Sequence, residues 1–109
     1  MPTVYVTAPE EAAEDLARGL VEERLAACVN AIPCRSWYRW EGDVVEDDEV
    51  ALVCKTTDAR YPELRARIVE RHPYDVPAIE RFDEVDVDEA YARWVAEGTT
   101  RAEGAKDNS

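Results

Sequence analysis

In 109 residues the chain has one histidine, one phenylalanine, one methionine and four isolated glycines. Each scarcity excludes something. Four scattered glycines leave no loop that could wrap a phosphate. There is no HExxH motif and no Ser-His-Asp order, so nothing in the chain points to a catalytic apparatus and the expectation is a protein that is not an enzyme. No apolar run approaches the ~18 residues of a helical membrane span. The start, Met1-Pro2-Thr3-Val4-Tyr5-Val6, lacks both the basic flank and the long apolar segment of a secretory signal, so a cytoplasmic location and no membrane partner are expected. Cysteine is scarce as well: Cys28, Cys34 and Cys54 form an odd set with no CxxC spacing, which fits reduced thiols rather than a disulfide framework or a zinc finger.

Positive charge is the other deficit. Against 25 acidic residues stand 13 basic ones, a net charge of −12. Nucleic acid needs a cationic face, so it is excluded as a partner. Of the bases only Lys55 and Lys106 are lysine. An acidic surface served by arginine suits a salt-rich, halophilic setting, where counterions screen the self-repulsion. The length allows one domain, burying roughly two thirds of its unfolded surface. Residues 1–98 are expected to form it, with 99–109 a polar, disordered tail.

What is abundant is concentrated in one stretch, from Cys28 to Gly42. Alternation places Cys28, Asn30, Ile32, Cys34, Ser36, Tyr38 and Trp40 on one face and Val29, Ala31, Pro33, Arg35, Trp37 and Arg39 on the other. Both faces carry large apolar groups. A strand far longer than the usual ~5–6 residues, aromatic on both sides, needs more cover than one small domain supplies. It is expected to pair copies of the protein. Pro33 predicts a bulge or an edge. Gly42-Asp43 predicts a two-residue hairpin turn, setting Trp40 opposite Val45 and Tyr38 opposite Asp47, with Val44–Thr56 as the returning strand.

The remaining elements read in order. Thr3–Val6 is a strand, and Thr7 with Glu10 suggests a capping box for a helix striped by Ala13, Leu16, Ala17, Leu20 and Val21. Thr57-Asp58 can cap a second helix that stops at His72 before Pro73. Val76–Phe82 is a fourth strand. Asp86–Glu97 is a third helix, boxed by Asp86 and Glu89 and ended by Gly98. The order β-α-β-β-α-β-α predicts an α+β fold, a ferredoxin-like split βαβ sandwich with an added C-terminal helix.

Four runs in this order carry a resemblance: Thr7-Ala8-Pro9, Leu25-Ala26-Ala27-Cys28-Val29-Asn30, Tyr38-Arg39-Trp40-Glu41-Gly42 and His72-Pro73-Tyr74-Asp75-Val76-Pro77. Together they resemble the CutA divalent-cation tolerance proteins over residues 3–97. The resemblance implies the same fold, a homotrimer held by strands and C-terminal segments, and binding of Cu(2+) or another divalent metal in metal-ion tolerance. It also marks departures. Val6 and Arg71 stand where copper-binding members are expected to carry a cysteine and a second histidine, and only His72 of that set is present.

These readings give the candidate residues. His72 is the first candidate metal ligand and Cys28 the second. Tyr74, Asp75, Arg39, Trp40 and Lys55 are candidates to line a cleft. Trp37, Tyr38, Trp40 and Trp94 are candidates for the trimer interface. The acidic run Glu46-Asp47-Asp48-Glu49 lacks the glycine and ligand order of an EF-hand and reads as a solvated hairpin. Two other functions compete with metal binding. One is a PII-like trimeric sensor holding a small anionic ligand between subunits, an analogy of fold. The other is a trimeric scaffold for partner proteins.

Overall fold

A computed structural model describes residues 1–100. Four strands, β1 (Pro2–Pro9), β2 (Cys28–Trp40), β3 (Asp43–Lys55) and β4 (Ile79–Asp83), alternate with three helices, α1 (Glu10–Glu22), α2 (Tyr61–Arg71) and α3 (Glu89–Gly98). The sheet is antiparallel throughout, in the order β2-β3-β1-β4. That is the α+β, ferredoxin-like arrangement with an additional C-terminal helix, as the order of elements predicts.

Register decides which face is core. Val4 pairs with Cys54 and Val6 with Leu52, and Val29 and Ala31 of β2 join the same two rows. Onto this face α1 and α2 set Leu16, Leu20, Leu64 and Ile68, with Leu25 and Ala26 closing the end. The buried residues of α1, Ala13, Leu16 and Leu20, recur at helical spacing, which is why the stripe is legible beforehand. The opposite, open face carries the alternate rows of each strand. At its Cys28 end stands α3, where a Cβ on Gly98 would lie 3.0 Å from the Ala27 Cβ.

β1 reaches β3 only between Thr3–Lys55 and Pro9–Glu49. Beyond Glu49, residues 43–48 of β3 pair with β2 alone. A two-stranded arm roughly 20 Å long therefore projects from the sheet. Its apolar groups lie uncovered: Trp37 and Trp40 are each 62% exposed, and Val44 65%. Pro33 sits on the edge strand β2 within an unbroken register, so it is tolerated without a bulge.

The turn at the arm's tip is Glu41-Gly42, not Gly42-Asp43. Both residues have positive φ, 51° and 90°, the pattern of a type I′ hairpin, which wants glycine second. The register shifts accordingly, so Trp40 faces Asp43 and Tyr38 faces Val45.

Other boundaries differ for physical reasons. β1 continues to Pro9, so Thr7 stays paired with Ala51 and the expected Thr7–Glu10 box does not form; Pro9 caps α1 with no side-chain bond. α2 starts later than Thr57-Asp58, although the Thr57 hydroxyl accepts from the Arg60 N–H at 3.3 Å. β4 starts at Ile79, the last residue paired with β1, which leaves Val76-Pro77 in the preceding loop. α3 is capped by Asp88, which accepts from the Tyr91 N–H at 3.0 Å, rather than by Asp86. Just beyond α3, Thr99 is buried and its hydroxyl donates to the Val95 carbonyl at 2.9 Å. The rest of the expected tail, 101–109, lies outside the described residues.

Candidate functional site

The single histidine sits just past the end of α2, 7% exposed. β4 pairs with β1 no further than Val6–Ile79, and the next carbonyl along β1, that of Thr7, is bonded instead by Nε2 of His72 at 2.8 Å. The other ring nitrogen, Nδ1, accepts from the Tyr74 N–H at 3.1 Å. An amide N–H only donates and a carbonyl only accepts, so the tautomer follows: Nε2 carries the proton and Nδ1 the lone pair. Both nitrogens are spent on holding the α2–β4 loop to β1.

That loop then forms one wall of a groove on the open sheet face. Ser36, Tyr38 and Trp40 of β2, Asp47 and Glu49 of β3 and Thr7 of β1 make the floor, and Tyr74, Asp75, Val76 and Ala78 the wall. The cavity measures about 810 Å³. Among the described residues its lining includes three carboxylates and three aromatic rings but no basic side chain. Glu49 is only 6% exposed, and its Oε2 accepts from the Tyr74 hydroxyl at 3.1 Å. Burial, then the bond to Glu49, pushes the Tyr74 phenol up to about 12. Across the arm the Tyr38 hydroxyl donates to Asp47, its diagonal neighbour, and this bond raises the Tyr38 phenol too.

The other candidates are dispersed. Tyr74, Asp75 and Trp40 come together in the groove. Arg39 lies on the arm's other side and donates to the Gly42 carbonyl at 3.2 Å. Lys55 is opposite Cys28 at the far end of the sheet. An anionic ligand in the groove would therefore meet no cation among the described residues of this protomer. Trp37 is exposed on the arm's helix-side face, and Trp94 is half-exposed on α3, stacked on Tyr91 at 5.7 Å.

His72 and Cys28 are not brought together either. Cys28 pairs at Lys55 and Thr7 at Ala51, four residues apart along β3, or about 13 Å. Cys54 is fully buried in the helix-side core, and burial pushes its thiol up to about 12, which suppresses the thiolate that a metal needs. Among the described residues no three His, Cys, Asp or Glu side chains are grouped to hold a metal ion. The residues of one protomer thus do not fit a soft copper site.

Glu49, Thr7 and Ser36 escaped the sequence reading as site residues. A signal for Glu49 existed: alternation puts Asp47 and Glu49 on one face and Glu46 and Asp48 on the other. Treating the run as a single solvated block hides that division.

Comparison with known proteins decides the family. Residues 2–98 match the family model described as CutA1 divalent ion tolerance protein. The chain belongs to this family. The divalent-cation tolerance protein CutA of Pyrococcus horikoshii is 47% identical over 102 residues, spanning 93% of this chain and all of that one. The crystal structure of CutA1 from the same organism superposes with a TM-score of 0.88 at 46% identity, covering 93% of this chain and all of that one. A structure described as the PII-like protein CutA from Nostoc sp. PCC 7120 in apo form reaches 0.88 at 34% identity, covering 92% of this chain and 98% of that one. The fold is thus matched along nearly the whole described chain.

Proposed function

We propose that the protein acts in divalent-cation tolerance as a non-catalytic homotrimer. It holds its cation, copper or another divalent ion, at seams between protomers. The state of His72 carries this reading. The chain has one imidazole, and both of its nitrogens are bonded within the protomer. A divalent ion must then draw its ligands from carboxylates or the half-buried Cys28 thiol of more than one protomer. Relatives named for divalent-cation tolerance support the function. The bare aromatic arm and the unpaired edges of β2 and β4 support assembly, since uncovered edges and apolar patches of this kind mark protein contacts. Three free cysteines suit a reducing compartment and support a cytoplasmic location.

The test is a Cu(II) titration in molar salt, followed by electron paramagnetic resonance, on wild type, His72→Ala and Cys28→Ser. Stoichiometric binding that survives His72→Ala and disappears when the assembly is diluted to monomer is the expected result. A nitrogen-ligated signal abolished by His72→Ala would place the ion on the imidazole and overturn the reading. Binding that never saturates would reduce it to the background of an acidic surface.

A further inference from the structure

Beside His72, the last residue of α2 departs from the family pattern in its own way. We infer that the corner where the resemblance implies copper ligands is, in this chain, a metal-free socket in which the Arg71 guanidinium ties α2 to α1. The inference rests on that corner alone, and the proposed cation at the seams stands or falls separately.

The three positions concerned point three ways. Val6, where a cysteine is expected, is fully buried in the core beneath the helices and pairs with Leu52. His72 turns to the Thr7 carbonyl and the Tyr74 N–H. Arg71, where the other histidine is expected, reaches back to α1 instead. Its Nη2 lies 2.7 Å from Oε2 of Glu23, the residue at the C-cap of α1. The other Glu23 oxygen, Oε1, takes the guanidinium of Arg67, one turn earlier in α2. One carboxylate thus joins two arginines. Neither guanidinium can ligate a metal, because each stays protonated and offers no acceptor lone pair.

Gly19 separates a built socket from an incidental ion pair. It is buried inside α1, where glycine disfavours the helix about fivefold relative to alanine. A Cβ added there would come within 2.6 Å of Nη1 of Arg71. The side chain that Gly19 lacks is therefore the space that the guanidinium fills. An imidazole at position 71 would bring Glu23 no permanent charge and no second donor fork.

The experiment compares Gly19→Ala in two backgrounds, wild type and Arg71→Ala, by urea denaturation of the full chain at fixed high salt. Copper(II) paramagnetic resonance is recorded on wild type and Arg71→His. In the Arg71→Ala background the added methyl should raise the folding equilibrium constant about fivefold, the ordinary helix preference of alanine. In wild type it should raise it by less than about twofold, because the methyl displaces the guanidinium and weakens its hold on Glu23. A gain of equal size in both backgrounds would mean that Arg71 only passes over Gly19, and would overturn the inference. Arg71→His should show no nitrogen-ligated copper beyond that of wild type. A stoichiometric signal gained in Arg71→His would mean that the ligand geometry persists beneath the arginine, and would overturn it too. Equal copper binding by the two proteins supports the inference whatever its amount, and that amount alone tests the proposed seam.

Discussion

Nε2 of His72 lies 2.8 Å from the carbonyl oxygen of Thr7, at the point where β1 runs out of partners in β4. The imidazole does there what another residue of β4 would have done, and through Nδ1 it also fixes the start of the loop that walls the groove.

Removing that ring leaves a buried carbonyl and a backbone N–H without partners. His72→Ala should cost about 2–4 kcal/mol, from two lost hydrogen bonds and their desolvation. Urea denaturation measures it. A loss below about 0.5 kcal/mol would mean water replaces the ring freely.

The tip of the arm is improvable. Glu41 adopts φ 51°, which a side chain with a Cβ takes at some cost. Glu41→Asn should stabilise the protein by ~0.5–1 kcal/mol, since asparagine before glycine suits a type I′ turn. A rise in Tm is the expected result, and a fall would exclude a strained turn.

Tyr74 should report on alkaline pH. Its phenol ordinarily ionises near 10.0 and in the fold is pushed up to about 12. The raised value means the folded state favours the protonated form. That contribution to stability is complete below 10 and is lost as pH rises towards 12, because the unfolded chain ionises first. Phenolate absorbance should show late-titrating tyrosines, Tyr38 and Tyr91 among them, and should lose one of these in Tyr74→Phe. A normal titration would mean that the phenol is open to water.

Thiol chemistry should divide the cysteines. Cys54 is fully buried with its thiol pushed up to about 12, whereas Cys28 and Cys34 are partly accessible. Alkylation near neutral pH should label Cys28 and Cys34 and reach Cys54 only after unfolding, as peptide mapping would show. Early labelling of Cys54 would contradict its place in the core.

Most of the architecture was legible in the chain because periodicity reports burial directly. Leu16 and Leu20 recur at helical spacing, and Val4, Val6, Leu52 and Cys54 alternate into one core face. Turn register was less legible: a glycine fits either central position of a two-residue turn, and only the positive φ of Glu41 settles which pair is central. Helix starts moved for a similar reason. Asp86 and Asp88 are both acceptable caps, and the choice depends on where the chain leaves β4. Of the groove, the sequence showed Tyr74, Asp75 and Trp40 but not Glu49, because partnership across residues 49 and 74 is a fact of folding rather than of spacing. His72 was legible as a singular residue. Its role was not, since two backbone partners, one of them sixty-five positions away, leave no motif.

In the proposed assembly the projecting arm makes concentration a variable of this protein's folding. A two-stranded ribbon alone is marginal in water. Past Glu49 the arm has no third strand and few covered side chains, so its amides should open as a separate, weaker unit than those of β1 and its neighbours. Whatever covers Trp37 and Trp40 shields these amides by mass action. Dilution would then loosen the tip while the core beneath α1 and α2 stays closed, and the order of the arm would record how crowded the chain is by its own kind.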